Sequence, residues 1–349
     1  MKKSMKRVPF ALALICVLIL ASLIGVIVGV NRTAPSSEKE INGENIAHKQ
    51  IADIQEIVDV KDVSEVPADE MKNPDLFPSA DAAAEEEPDA DPVDSLPEEM
   101  VINTSEELSG WKQIDGNLYY YNAMGKAVTG LKKIDGRIYY FNEHGVKASS
   151  VGVDVSTFNK SVDWQALKDQ GIDFAIIRVG GRTWKKGDLY GDSSTDEYLS
   201  GAKDAGLKVG VYFYSTAISE MEAVQEASVV LSEIDGVSLD MPVFLDIEFS
   251  GIYPKGRSDH LSVEERTKIA QAFCETIENS GYSAGIYSNA HFLSDNLDFD
   301  SLSQYQIWLA NYTTYNKLPS FTKDYDIWQF TNRGRLDGVT GYVDLNVIF

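Results

Sequence analysis

The chain is short of the residues on which many chemistries depend. It has two cysteines and four histidines in 349 residues, and 31 basic side chains against 54 acidic ones. Cys16 lies in an apolar run and Cys274 far from it, so no disulfide frames the fold, which must stand on its core. Cys274 recurs with Ile269, Ala270, Phe273 and Ile277 at helical spacing, which reads as packing and not as a nucleophile. No histidines have ligand-like spacing, so neither metal nor cofactor is expected and a metal hydrolase is a poor reading. The net charge of −23 argues against nucleic acid as a partner, because a phosphate backbone would be repelled. It argues equally against adhesion to an anionic surface by charge alone.

Long apolar runs are also scarce. The exception is Val8 to Val30, preceded by Lys2, Lys3, Lys6 and Arg7 and closed by Asn31 and Arg32. It is long enough to cross a bilayer as a helix, and the basic tail at 1–7 favours a cytoplasmic N-terminus with everything after Arg32 outside. This predicts a single-pass protein of the cell membrane, or a secreted one if cleavage occurs near Ala21-Ser22-Leu23. Cys16 follows Ile15 where a lipoprotein needs a small residue, so it is read as part of the membrane helix. Residues 31–108 are rich in Glu, Asp, Pro, Ser and Ala, a composition that cannot offset chain entropy by burial. They are expected to form a disordered, self-repelling spacer, with one amphipathic exception around Ile51, Ile54, Ile57 and Val58.

A repeat follows over 109–149. Gly110 to Gly116 (GWKQIDG) recurs twenty positions later as Gly130 to Gly136 (GLKKIDG), and Leu118 to Asn122 (LYYYN) recurs as Ile138 to Asn142 (IYYFN). Asp-Gly between aromatic, apolar stretches predicts one β-hairpin per unit. A lone hairpin is marginal, so stacking must bury the rings. The units resemble the choline- and glucan-binding wall repeats of bacterial surface proteins. That resemblance implies a possible wall polymer held on Trp111, Tyr119, Tyr120, Tyr139 and Tyr140 by cation–π contact. Leu131, Leu118 and Ile138 stand where the family has Trp, so rings serving only as hairpin core or as a stalk are an equal reading.

From 150 to 349 strands and helices alternate. Strands are expected at Gly152–Ser156, Phe174–Gly180, Lys208–Ser215, Pro242–Glu248, Ala284–Ser288, Tyr305–Tyr312, Asp326–Thr331 and Val343–Phe349. Helices are expected at Val162–Gln170, Asp196–Ala205, Ser219–Ile234 and Ser262–Asn279, with a short one near His291–Asn296. Gly171, Gly206 and Gly281 are read as the C-terminal stops. The fold class is therefore α/β: a modified β/α barrel with eight strands and about five helices, its apolar strands suggesting a parallel sheet. Function in such barrels lies at the C-terminal strand ends.

The fourth strand, in MPVFLDIEFS, organises the rest. Asp246 and Glu248 share one of its faces beside Phe244, their Cα atoms roughly 6–7 Å apart by strand geometry. Two acids in an apolar setting must repel, find partners or titrate upward, and a raised carboxyl suits a general acid. Asp154 in the first strand and Asp344 in the last meet if the barrel closes. Four acids with aromatic residues around one cavity point to sugar cleavage.

The landmarks GVDVS with VDWQ, FAIIR, AGLKVGVYFYS, PVFLDIE, AGIYS, IWLANY, IWQF and VDLN run in order through about two hundred residues. Together they resemble the glycoside hydrolase family 25 lysozymes, the N-acetylmuramidases of Chalaropsis type. The resemblance implies a peptidoglycan hydrolase cutting between N-acetylmuramic acid and N-acetylglucosamine. It casts Glu248 as the proton donor, Asp246 as the acid orienting the substrate acetamido group, and Asp154 and Asp344 as further catalytic acids. It lines the sugar subsites with Tyr212, Tyr214, Tyr287 and Trp308, and position at the strand ends adds Arg178, Tyr312 and Gln329 as expected substrate contacts. Where many members read Lys-Ala-Thr-Glu-Gly, this chain reads Arg178-Val-Gly-Gly-Arg182. Two alternatives stay open: a membrane-tethered wall-binding protein without activity, and a glycosidase for another amino-sugar polymer such as chitin.

Overall fold

The computed structural model describes residues 109–349 except 252, 253, 255 and 314–316. The basic tail, the apolar run and the acidic linker with its amphipathic stretch lie outside the described residues. Among those described, no helix is long and apolar enough to cross a membrane.

Two hairpins come first: β1 (Gly110–Ile114) with β2 (Asn117–Tyr121), and β3 (Gly130–Ile134) with β4 (Arg137–Phe141). In each turn Asp and Gly both take positive φ, 50° and 83° at Asp115-Gly116 and 51° and 82° at Asp135-Gly136. This is the twist that a two-residue hairpin requires.

The barrel consists of β5 (Ser150–Val155), β6 (Phe174–Arg182), β8 (Lys208–Ser215), β9 (Val243–Ile247), β10 (Ala284–Asn289), β11 (Gln306–Ala310), β12 (Ile327–Gly334) and β13 (Val343–Ile348). Pairing of β5 with β6 closes it, and a short β7 (Leu189–Gly191) folds back on the end of β6. The helices are α1 (Trp164–Asp169), α2 (Thr195–Asp204), α3 (Glu220–Glu233), α4 (Val263–Asn279) and α5 (Ala290–Asp295). Ser219 and Ser262 are not helical but N-caps, each accepting from the backbone of the first turn.

One expectation is overturned. The sheet is not wholly parallel: β13 runs antiparallel to both β12 and β5. The connection from β12 to β13 is a hairpin, and a crossover needs a dozen or more residues, usually with a helix. Because β13 is inverted, its first residues and not its last stand at the C-terminal rim of the barrel.

The core has two parts. Inside the barrel, Phe174, Ile176, Phe244, Trp308 and Ile327 form a plug, with Tyr212, Met241, Tyr287 and Ile348 against it. Outside, the helices cover the strands in one continuous apolar layer, which includes Cys274. Among the described residues no helix follows β11 or β12, and the second hairpin fills that gap. Its Leu131, Ile138, Tyr140 and Ala148 belong to the barrel's own core. The Tyr140 ring lies 5.7 Å from Trp328 and 4.8 Å from Phe330, on the outer face of β12. Ile138 donates its N–H to the Gln170 carbonyl at 2.6 Å, and Ser149 to Ile348 at 2.7 Å. The first hairpin lacks such a seat and stays largely exposed.

Candidate active site

At the C-terminal rim the apolar plug gives way to polar side chains. Asp154 on β5 is the cross-strand partner of Asp344 on β13, so the inversion of β13 brings two acids from opposite ends of the barrel sequence side by side. Asp154 Oδ2 accepts from Gln329 Nε2 and from Asn346 Nδ2, both at 2.8 Å. Gln329 Oε1 in turn accepts from the Tyr287 hydroxyl at 2.9 Å and the Tyr312 hydroxyl at 2.8 Å. Asn346 Oδ1 accepts from Trp308 Nε1 at 2.8 Å. With its oxygen engaged by two hydroxyls, the Gln329 amide turns its nitrogen toward Asp154; an indole, a donor only, orients Asn346 the same way. Burial pushes the Asp154 carboxyl up to about 6, against the pull of the two amides.

Asp246 on β9 is in register with Tyr214 on β8 and Tyr287 on β10. It is buried, and its Oδ1 has no hydrogen-bond partner among the described residues. Burial raises its pKa well above the carboxylate range; the charges of Glu248 and Asp154 add to this, and Arg178 opposes it. Glu248 stands one residue beyond β9, half-buried, and burial pushes it up to about 7. Asp344 is raised by burial and then by Asp154. Burial pushes all four carboxyls upward, which favours the protonated form of the set. Such a set can hold a neutral acid able to donate a proton beside a carboxylate. That is the equipment of a glycosidase.

Residues 153–339 match the family described as glycosyl hydrolases family 25, and 108–150 match a choline-binding repeat. The chain belongs to glycosyl hydrolase family 25. It is 28% identical to an autolytic lysozyme of Clostridium acetobutylicum over 195 residues, 56% of this chain and 54% of that one. This chain thus spans about half the length of that relative. Its fold is similar to that of LytC, a modular autolysin of Streptococcus pneumoniae solved in complex with a synthetic peptidoglycan ligand. The TM-score is 0.54 at 22% identity, covering 68% of this chain and 58% of that one. A family 25 glycosyl hydrolase from Bacillus anthracis gives 0.50 at 22% identity, covering 64% of this chain and 95% of that one.

Within this family 25 barrel, the side chains named from sequence divide into three groups. Asp154, Asp246, Glu248 and Asp344 converge, linked through their mutual charge effects. Tyr212, Tyr287 and Tyr312 are half-buried near them, and Tyr214 sits beside Asp246. The other three expected substrate contacts are buried and engaged within the protein itself. Trp308 is 1% exposed, wedged between Tyr287 and Phe244, and serves as floor. Gln329 is buried as the clamp on Asp154. Arg178 is buried in an ion pair with Asp192 at 2.7 Å and stacks on Phe158. It acts on the site through its charge on Asp246.

The departure at Arg178–Arg182 also has a structural reason. A Cβ at Gly180 would lie 2.4 Å from the Tyr190 carbonyl, and one at Gly181 2.3 Å from the Tyr190 hydroxyl, so the two glycines let β7 pack onto β6. Arg182 closes the segment by donating Nε to Glu226 at 2.7 Å. Two site residues escaped the sequence reading. Asn346 had a signal, standing two positions after Asp344 on the same face of β13. Asp192 had none, because only the fold-back of β7 brings it to Arg178.

Among the wall-binding candidates, Tyr140 is a core residue. It is fully buried against the barrel, and its ring has no open face. Trp111 is 36% exposed and meets Tyr120 at 5.1 Å and Tyr139 at 4.9 Å, while Lys147 Nζ lies 5.6 Å over the Tyr139 ring. Tyr119 lies near Tyr121, at 6.4 Å.

Proposed function

We propose that this protein is a peptidoglycan hydrolase that cleaves the β-1,4 bond between N-acetylmuramic acid and N-acetylglucosamine with retention, by substrate assistance. The observation that carries the reading is the asymmetric pair at the end of β9: a half-buried Glu248 pushed up to about 7 beside a buried Asp246 with an unpartnered oxygen. Glu248 donates its proton to the leaving glycosidic oxygen. The 2-acetamido oxygen of the substrate attacks the anomeric carbon, and Asp246 steadies the resulting oxazolinium through the oxygen left unpartnered. Water then opens the ring, with Glu248 as the base. Two acids on one strand lie to the same side of the sugar, which suits assistance better than a protein nucleophile on the opposite face. Asp154 holds its place through Gln329 and Asn346 and adds negative potential to the developing cation.

Proton NMR of the first-formed product decides the stereochemistry, and inversion would end this mechanism. Mass spectrometry of muropeptides released by the full chain identifies the bond: muramic acid at the new reducing end is expected, glucosamine is not. Digestion of chitin oligomers in preference to peptidoglycan would move the assignment to another amino-sugar polymer.

The apolar run at 8–30 and the basic tail before it support a single-pass anchor with the barrel outside the cell, reaching the wall across the acidic segment. Protease treatment of intact cells tests this. Loss of the barrel epitope is expected, and protection would reverse the topology. The exposed Trp111 ring and the half-buried tyrosines of the first hairpin support contact with a wall polymer, and retention on choline resin against glucan resin reports which one.

A further inference from the structure

The register of β9 ends at Ile247, so Glu248 stands in the segment that leaves the strand and not in the ladder. Before it, the Ile247 carbonyl accepts from Ser288 Oγ at 2.6 Å. After it, the chain is held by Asp259. Its Oδ1 accepts from the Ser250 N–H at 2.9 Å, and its Oδ2 accepts from Ser250 Oγ and from the Gly256 N–H, both at 2.7 Å. Asp259 is 3% exposed. A Cβ at Gly256 would lie 2.4 Å from the Ser250 Cβ, which is how closely the carboxyl draws the two together. Arg266 on α4 donates Nη2 to the Asp259 carbonyl at 2.9 Å. Its guanidinium lies 5.1 and 5.3 Å from the ring centroids of Phe249 and Phe292, which meet each other at 5.0 Å. Two positions before Asp259, Arg257 donates its N–H to the Trp184 carbonyl at 3.0 Å and its fork to Glu222 on α3 at 2.6 and 2.8 Å.

Glu248 therefore lies between two fixed points, Ile247 and Ser250, and Asp259 makes the second of them. The three donors to its carboxyl all come from the segment after β9, and none from a strand or helix. A carboxylate suits this task because it offers acceptors only, and bonds to it are shorter and stronger than neutral ones. A proton donor must come within hydrogen-bond reach of the glycosidic oxygen, and a misplacement of about 1 Å can cost roughly a hundredfold in rate. We propose that Asp259 is a positioning residue: it fixes the backbone on the far side of Glu248 and so aims the proton donor at the leaving oxygen. Asp259 itself takes no part in the proton transfer. The proposal rests on the donor role given to Glu248 above and adds to it the group, outside the four acids, that sets its aim.

The test compares kcat/KM of the full chain, Asp259→Asn and Glu248→Gln on two substrates. One is soluble peptidoglycan strands, whose leaving sugar oxygen needs a proton. The other is a dinitrophenyl glycoside of the same disaccharide, whose leaving phenolate needs none. Because kcat/KM reports the step in which that bond breaks, the contrast isolates proton donation from the later attack of water. Asp259→Asn keeps the shape of the side chain but turns an NH2 group toward one of the two backbone N–H donors. Its kcat/KM should fall about tenfold to a hundredfold on the strands. On the aryl glycoside it should stay within about threefold of the parent. Glu248→Gln should show the same pattern with a larger loss on the strands. A residue needed only for folding would slow both substrates alike, so equal deficits overturn the proposal, and so does an unchanged rate on the strands. If Glu248→Gln depends on the leaving group and Asp259→Asn does not, only the positioning role fails. If Glu248→Gln is equally slow on both, the donor reading fails and takes the positioning role with it. Ser250→Ala removes one of the three bonds and should repeat the pattern at about threefold to tenfold, which carries the comparison should Asp259→Asn not fold.

Discussion

The seat of the second hairpin leads to a prediction that separates a wall-binding ring from a core ring. Tyr140 is fully buried among Trp328, Phe330 and Phe349, and its hydroxyl has no hydrogen-bond partner among the described residues. Truncation to Ala deletes a large buried side chain, which costs about 3–5 kcal/mol. Part of that is the edge and tilted ring contacts, at about 0.5–1.5 kcal/mol for each pair. Tyr140→Phe keeps the packing and removes an unpartnered polar group whose burial costs about 1–3 kcal/mol, so it should be neutral or stabilising. The expected order is therefore Phe at least equal to Tyr, and both well above Ala. For a domain of this size about 3–5 kcal/mol lowers the melting temperature by roughly 6–20 °C. Thermal and urea unfolding of the full chain, followed by tryptophan fluorescence through Trp328, measures both changes. If Tyr140→Ala melts within a degree of the parent, the hairpin is a loosely tethered module and the argument from packing is wrong. If Tyr140→Phe loses more than about 1 kcal/mol, the hydroxyl has a partner that the burial argument lacks.

Glu248→Gln should fold normally and lower turnover by orders of magnitude, as loss of a general acid does; wild-type rates on a peptidoglycan zymogram would reject the role. In the parent, the rate should fall as pH rises through about 7, where Glu248 loses the proton it must donate, and a pH–rate profile flat to pH 9 would contradict this. Asp246 has a raised pKa when folded, so its contribution to stability is full below the unfolded value and is lost as pH rises through the folded one. Asp246→Asn should thus melt higher than the parent at pH 8, match it near pH 4 and have little activity, and an equal gain at both pH values would refute the linkage. Asn346→Leu leaves Trp308 Nε1 and Asp154 Oδ2 each one bond short. It should cost about 1–3 kcal/mol in urea unfolding and reduce kcat more than it changes KM, whereas unaltered kcat would make Asn346 purely structural.

Much of the barrel was legible because its elements announce themselves locally. Serines stand at the starts of α3 and α4, glycines follow α1, α2 and α4, and apolar runs mark the strands. The repeats were legible for the same reason, through Asp-Gly pairs that adopt the turn their chemistry favours. The direction of β13 was not, since a buried strand has the same apolar pattern whichever way it runs. Nor was the burial of Arg178. An arginine at a strand end reads as a ligand for substrate until Asp192, fourteen positions on, folds back to take it.

Residue order alone determined which acids exist, that Asp246 and Glu248 stand together at the end of one strand, and that two hairpins precede an eight-stranded barrel. These follow from periodicity and turn chemistry, which act over a few residues. Only the folded chain decided that Asp154 is clamped by Gln329 and Asn346, that Trp308 is floor and not wall, and that Tyr140 belongs to the barrel. Each of those depends on contacts between segments far apart in the chain, where burial and charge are set by neighbours that no local pattern names.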